Sequence, residues 1–241
     1  MTQLQLAYKE LGISTTLSNE ETFFYDWLLE LKEAGYIEKI VIQPNYTLTK
    51  KLSLPFMKQK TMKSIDKATG KPKVKIEEQD CTILNGMSYT PDFLVIWTEK
   101  AMDKFIFDSA SVLTKSFTDT QKSKFFTVTH PFDSSKKLDT ILEIKGSFAS
   151  RHNSTAIKFP LLQKIVYRIH NIYVNKVMPL DKKAGLFSQT FTPKTYMLTE
   201  KTKVKRAISW QVRTLKEYED YLDSLPETLN RNEGSDKTNI N

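Results

Sequence analysis

Tyr89-Thr90-Pro91-Asp92-Phe93-Leu94-Val95-Ile96 and Ile141-Leu142-Glu143-Ile144-Lys145-Gly146 decide how this chain is read. Each sets charged side chains inside an apolar, β-branched run of the kind that forms a buried strand. An ionised group in such a place is costly unless it is paired or holds a metal. Glu143 and Lys145 are two residues apart, so on a strand both point to one face while Leu142 and Ile144 point to the other. Asp92 closes a Thr-Pro-Asp turn and begins its strand, which puts its carboxylate near a strand end. If the two strands are neighbours, Asp92 and Glu143 approach each other, and two such carboxylates repel unless a cation lies between them. Oxygen-only ligands favour hard ions such as Mg²⁺ or Mn²⁺. Taken alone, Glu-x-Lys on a strand is an ion pair on a solvated sheet face. The acid upstream is what gives the pair another reading.

The bulk properties fit a partner with a phosphate backbone. The chain has 241 residues, 39% hydrophobic, and a formal net charge of +8. That is enough apolar content for a core, with the basic balance common among nucleic-acid-binding proteins. One cysteine, Cys81, excludes an intrachain disulfide and a cysteine-rich zinc site. Cys81 reads as a small apolar residue near a strand start. The opening Met1-Thr2-Gln3-Leu4-Gln5 has neither a basic nor an apolar leader region, so no signal peptide is expected. No apolar run approaches the length of a membrane span, so no membrane partner is expected and a cytoplasmic location is. There is no glycine-rich phosphate loop with a lysine, so no nucleotide cofactor is expected.

Outward from the two motifs, the chain alternates helix and strand. Residues 1–17 read as a lead-in helix broken at Gly12. Ser18 and Glu21 form a capping box ahead of Phe24, Trp27, Leu28 and Leu31, a helical core face, and Gly35 is its stop. A strand runs from Ile37 to Leu48, interrupted at Gln43-Pro44-Asn45. Residues 50–75 are dense in lysine, with a turn at Ala68-Thr69-Gly70-Lys71-Pro72. They read as a basic arm, a long hairpin whose Lys58, Lys60, Lys63, Lys71 and Lys73 would contact nucleic acid. Phe105–Phe107, Phe125–Thr129, Ile172–Met178, Phe191–Leu198 and Arg206–Val212 are strand candidates. Pro160 reads as the first position of a helix, with Leu161, Leu162, Ile165, Val166 and Ile169 on its buried side. Thr214 and Glu217 cap a final helix, and residues 226–241 read as a disordered tail. His130 and His170 lack partners at metal spacing and read as structural. Helices interleaved with strands imply an α/β fold with a mixed central β-sheet flanked by helices.

The two quoted motifs resemble those of the PD-(D/E)xK phosphodiesterases, and most closely the phage junction-resolving endonucleases of the endonuclease I type. Ser18-x-x-Glu21 before Phe24 and Leu28, and the stretch from Leu31 to Pro44, are similar to the first helix and strand of those phage proteins. The resemblance covers residues 18–178 and implies a restriction-endonuclease-like core. It makes 50–75 a basic arm, 100–137 an insertion and 179–225 a C-terminal α/β extension. It implies a Mg²⁺-dependent deoxyribonuclease, with Mn²⁺ as a substitute, acting on branched or junction DNA in a phage context, hence in a host cytoplasm. Glu21, Asp92 and Glu143 would hold the metal, and Lys145 would be catalytic. The helical wheel itself does not choose between Glu20 and Glu21. Arg151 and Lys164, after the second motif, would touch phosphate, and Gln163 would face the site. Two cuts on one duplex would favour a homodimer. The alternative is a catalytically inactive nuclease-fold protein serving as a DNA-binding or virion assembly module.

Overall fold

The computed structural model describes residues 3–10, 18–102, 104–107, 126–130, 138–146, 153–181, 185–198 and 204–224. The expected break at Gly12, most of the 100–137 stretch, Arg151, His152 and the tail after 224 lie outside them. Two units are distinguished, Met1–Pro44 with Thr90–Asn241, and Asn45–Tyr89 between them. The first begins with α1 (Gln3–Glu10), α2 (Asn19–Glu33) and β1 (Ile37–Ile42). The second supplies β2 (Tyr46–Thr49), β3 (Leu52–Ile65), β4 (Pro72–Leu84) and β5 (Met87–Tyr89). The first resumes with β6 (Phe93–Trp97), β7 (Ile106–Phe107), β8 (Phe126–Thr127), β9 (Asp139–Ile144), α3 (Asn153–His170) and β10 (Val174–Val177). It ends with α4 (Leu186–Gln189), α5 (Lys194–Met197) and α6 (Leu215–Asp223).

Helix α2 starts and stops where its sequence dictates. The Ser18 hydroxyl accepts a hydrogen bond from the Glu21 N–H at 3.2 Å, satisfying one orphan donor of the first turn. At the other end Gly35, with φ +79°, donates to the Lys32 carbonyl while Tyr36 donates to that of Leu31. This pairing closes a helix through a left-handed residue, which only glycine adopts without strain. Between the caps, Phe24, Trp27, Leu28 and Leu31 are all fully buried, as their spacing requires.

These side chains pack on a four-stranded sheet of order β1-β6-β9-β10. The first two pairings are antiparallel and β9–β10 is parallel, with α3 on the crossover between them. The sheet is therefore mixed and flanked by helices, as expected. Strand β6 buries Phe93, Val95 and Trp97 and half-exposes Leu94 and Ile96, a period of two. Trp27 lies at the centre of the core. It stacks on Phe24 and Phe191 and meets Phe105 and Phe126 edge-on, at centroid distances of 5.2 to 6.2 Å. Trp27→Ala is expected to cost about 3–5 kcal/mol, read as a lower urea midpoint at unchanged slope. No helix among the described residues is long and apolar enough to cross a membrane.

Several segments differ from expectation. Phe191–Leu198 and Arg206–Val212 are not strands; α5 lies within the first region, and an isolated bridge pairs Leu198 with Lys205, just before the second. Tertiary packing overrides the strand-like composition: Phe187 and Phe191 plug the core, and the Thr190 hydroxyl bonds back to the Leu186 carbonyl. Pro160 lies inside α3 rather than at its first position. The buried side of that helix is carried by Phe159 and Val166, whereas Leu161 and Ile169 are exposed. Val166 is on the expected side and Leu162 and Ile165 are half-buried, so the buried stripe overlaps the expected one and is extended at its N-terminal end by Phe159. Described parts of the 100–137 stretch belong to the core: Ala101, Phe105, Ile106 and Phe126 are buried in the same cluster as Trp27. Tyr218 and Leu222 of α6, capped by the expected Thr214–Glu217 box, join it from the C-terminal extension.

In the second unit, β2 pairs with β5, and β3 pairs with β4 in a long antiparallel ribbon. Its turn is the expected one. Asp66 Oδ1 accepts from the Ala68 and Thr69 N–H groups, and Gly70 takes φ +67°. The ribbon runs past residue 75 to Leu84 because alternating residues continue the pairing. Cys81 sits near the end of β4, half-buried.

Candidate functional site

The register of the central sheet brings the two motifs together. Phe93 pairs with Leu142, so one step further along the ladder Asp92 falls opposite Glu143. The main chain fixes Asp92 from both sides. Its carbonyl accepts the Gln43 N–H at 2.9 Å, and its Oδ2 accepts the Ile144 N–H at 2.6 Å. Beyond β9 the Lys145 N–H donates to the Val177 carbonyl, which extends the β10 pairing through the motif.

Glu143 and Lys145 share a face, as their spacing demands. Lys145 Nζ lies 2.6 Å from Glu143 Oε1, while Leu142 and Ile144 are buried on the other side. The ion pair exists, but not on a solvated face: the Lys145 and Glu143 side chains are only 23% and 12% exposed. Glu21 joins them from the first turn of α2. Its carboxylate accepts from the Ser18 hydroxyl and backbone N–H and feels the charges of Lys145 and Glu143. Glu20 also lies beside the motif: its Oε1 would be 2.8 Å from a Cβ at Gly146, so its carboxyl packs on the bare glycine just after Lys145. An alanine at 146 would force Glu20 aside.

The electrostatics of the cluster are those of crowded acids. Asp92 is pushed up to about 7, first by burial, then by Glu143 and Glu21, with the Ile144 N–H and Lys145 opposing. Burial also raises Glu21, partly offset by Ser18 and Lys145. At neutral pH Asp92 is therefore poised between its two protonation states. Shifts of this kind, built from burial and specific charge partners, collect at chemically used sites.

Two neighbours escaped the sequence reading. Tyr8 of α1 is buried; its phenol is pushed up by burial and by the charges of Glu21 and Asp92, while the Gln43 side chain opposes this. Gln43 has φ +49°, an uncommon conformation for a side-chain-bearing residue, next to Asp92 in the sheet. Gln43-Pro44 signalled an interruption of the strand; nothing in the composition of α1 signalled Tyr8. Other candidates do not gather here. Gln163 spends its amide on the Val174 carbonyl at 2.6 Å, and Lys164 is exposed on α3. His130 Nδ1 lies 3.1 Å from the Asn171 carbonyl oxygen, a structural role as expected.

Glu21, Asp92 and Glu143 offer a hard divalent cation the donor type it requires, carboxylate oxygen. Asp92 is raised first by burial and then by the neighbouring Glu143, and a bound cation would offset both. Among the described residues, however, no group of three His, Cys, Asp or Glu side chains is gathered at metal-ligand spacing. One Asp92 oxygen is engaged by Ile144 and one Glu143 oxygen by Lys145. The donor set fits such an ion in chemistry, and these contacts would have to loosen to admit it. Comparison of the chain with protein-family models, with curated proteins and with solved structures finds no match.

Proposed function

We propose that this chain is a metal-dependent endonuclease with a restriction-endonuclease-like core that hydrolyses phosphodiester bonds in DNA. The observation that carries this reading is the juxtaposition of Asp92 with Glu143 and Lys145 across β6 and β9, with Glu21 entering from α2. A binding module has no use for buried acids beside phosphate, which they repel. In the proposed site Glu21, Asp92 and Glu143 hold Mg²⁺, with Mn²⁺ as a substitute. The bound ion supplies charge stabilisation at the phosphate and a more acidic water.

The chain's own groups do the rest. The Ile144 N–H fixes the Asp92 carboxylate in one orientation. Glu143 holds the Lys145 ammonium on the site face of the sheet, ready to orient the attacking water or neutralise charge developing on the phosphate. Resemblance to junction-resolving enzymes makes branched DNA the first substrate to try. Purified protein is expected to cut at least one of linear, nicked, single-stranded and four-way-junction DNA with Mg²⁺ or Mn²⁺, and none in EDTA. If no substrate is cut while the protein still binds DNA, the inactive nuclease-fold module replaces this reading. A cut confined to RNA would move the target and keep the chemistry.

A further inference from the structure

The β3–β4 ribbon has two unlike faces, and its register sorts its residues between them. Phe56 pairs with Gln79, Lys58 with Glu77 and Lys60 with Lys75. Paired side chains project to the same side, and the side alternates at each step. One face therefore carries Lys58, Lys60 and Lys75, with Lys73 next in the alternation, against a single acid, Glu77. The ion pairs of Glu77 with Lys75 at 3.0 Å and with Lys60 at 3.6 Å confirm that these three share that side. The opposite face carries Glu78 and Asp80, paired with Met57 and Pro55, and Ile76 and Val74, paired with Gln59 and Thr61. Lys63 lies in the irregular stretch between Thr61 and Ile65, where the register shifts, and Lys71 belongs to the turn.

Both faces are open. Met57 is 73% exposed, and the Lys60 side chain 70%. In the described structure β3 and β4 pair only with each other. A two-stranded ribbon without a third layer is marginally stable in water, so this one is suited to gain its order from a partner. The charges say which partner. A row of lysines about 6.7 Å apart along each strand, on strands about 4.8 Å apart, faces away from the acids and matches a phosphate backbone. A ribbon of this width also fits the major groove of B-form DNA.

We infer that the face bearing Lys58, Lys60, Lys73 and Lys75 is a docking surface for duplex DNA, with the acidic and apolar face turned away from the phosphates. The inference builds on the nuclease reading for the identity of the ligand but assigns the contact to one face only. It replaces Lys63 and Lys71 with Lys75 among the contacting residues. The Glu77 carboxylate holds two of the lysines in line and leaves each of them donors for phosphate.

The test measures binding of the full-length protein to a labelled linear duplex by fluorescence anisotropy in EDTA, across a salt series. Binding without a divalent cation keeps this result separate from cleavage. Each lysine that neutralises a phosphate contributes about 0.9 to the slope of log K against log salt. Replacing Lys58, Lys60, Lys73 and Lys75 together by Gln is expected to lower that slope by about 3–4, and Lys60→Gln alone by about 1. Glu78→Gln is the opposite-face control and should leave the slope unchanged. The inference is overturned if the single and quadruple variants keep the parental slope, or if Glu78→Gln changes it as much as Lys60→Gln does. It is also overturned if sedimentation shows that the lysine face joins a second copy of the chain, with dimer mass lost in the quadruple variant. Cleavage that fails while the Lys60 effect persists would count against the nuclease reading alone.

Discussion

Lys145→Met is expected to lower metal-dependent cleavage by about three orders of magnitude while DNA binding in EDTA is unchanged. The Lys145 ammonium is the cation ion-paired to Glu143 at 2.6 Å, whereas Lys176, opposite Glu143 on β10, is exposed. Methionine preserves the length and apolar stem of lysine but brings no charge and no donor. The substitution also has a structural effect, which must be separated from the catalytic one. Lys145 is the partner of Glu143 at 2.6 Å in a site with little solvent. Removing it takes that counter-charge away from Glu143 beside Asp92, at a cost of about 1–2 kcal/mol at neutral pH. The double variant Lys145→Met, Glu143→Gln removes both charges and should recover most of that stability without recovering cleavage. Thermal melts and single-turnover rates on the two variants check this. If Lys145→Met cuts at the parental rate, the ammonium is only a counter-ion and its assigned role in the reaction is lost.

What made Lys145 and Glu143 readable was strand periodicity, which is local. Two residues apart on a strand means one face, whatever surrounds it. Helix α2 was readable for the same kind of reason, since Ser18, the apolar spacing and Gly35 each act within a turn of the chain. The placement of Asp92 opposite Glu143 was not local. It depends on β6 pairing with β9 in one register, across a stretch that the sequence presents as an insertion. That stretch contributes Phe105 and Phe126 to the core around Trp27, so it supports the sheet rather than interrupting it. The C-terminal segment misled for a related reason. Phe191, Thr192 and Tyr196 suit a strand or a packed turn equally well, and only contacts with Trp27, Trp210 and Phe23 decide between them. The choice between Glu20 and Glu21 was likewise beyond a helical wheel. Both carboxyls reach the motif through tertiary contacts, Glu20 on the bare Cα of Gly146 and Glu21 near the charges of Lys145 and Glu143.

Asp92→Asn is expected to stabilise the protein at neutral pH and to flatten its stability between about pH 4 and 7. The folded chain raises Asp92 from 3.8 to about 7. Below pH 4 the carboxyl is protonated in both folded and unfolded chains, so it makes no difference there. Between the two values the folded chain holds a proton that the unfolded chain has released, so parental stability falls as pH rises and levels off once the folded group ionises. Integrated over that window, the penalty is on the order of 4 kcal/mol. It corresponds to roughly 8–16 °C in melting temperature for a chain of this size. Asparagine carries no charge to desolvate, and its side-chain oxygen can still accept the Ile144 N–H. Glu21, raised in the same direction, leaves a smaller residual slope in the variant. A divalent cation bound among the acids would compete for the same position as the proton. Mg²⁺ is therefore expected to raise the parental melting temperature at pH 8 and to have little effect on Asp92→Asn, a difference that requires no DNA and no turnover. Melts across pH, with Mg²⁺ and with EDTA, check both parts. A parental pH slope that survives Asp92→Asn would show that the acids are not crowded as described. A Mg²⁺ effect that survives it would place the ion elsewhere.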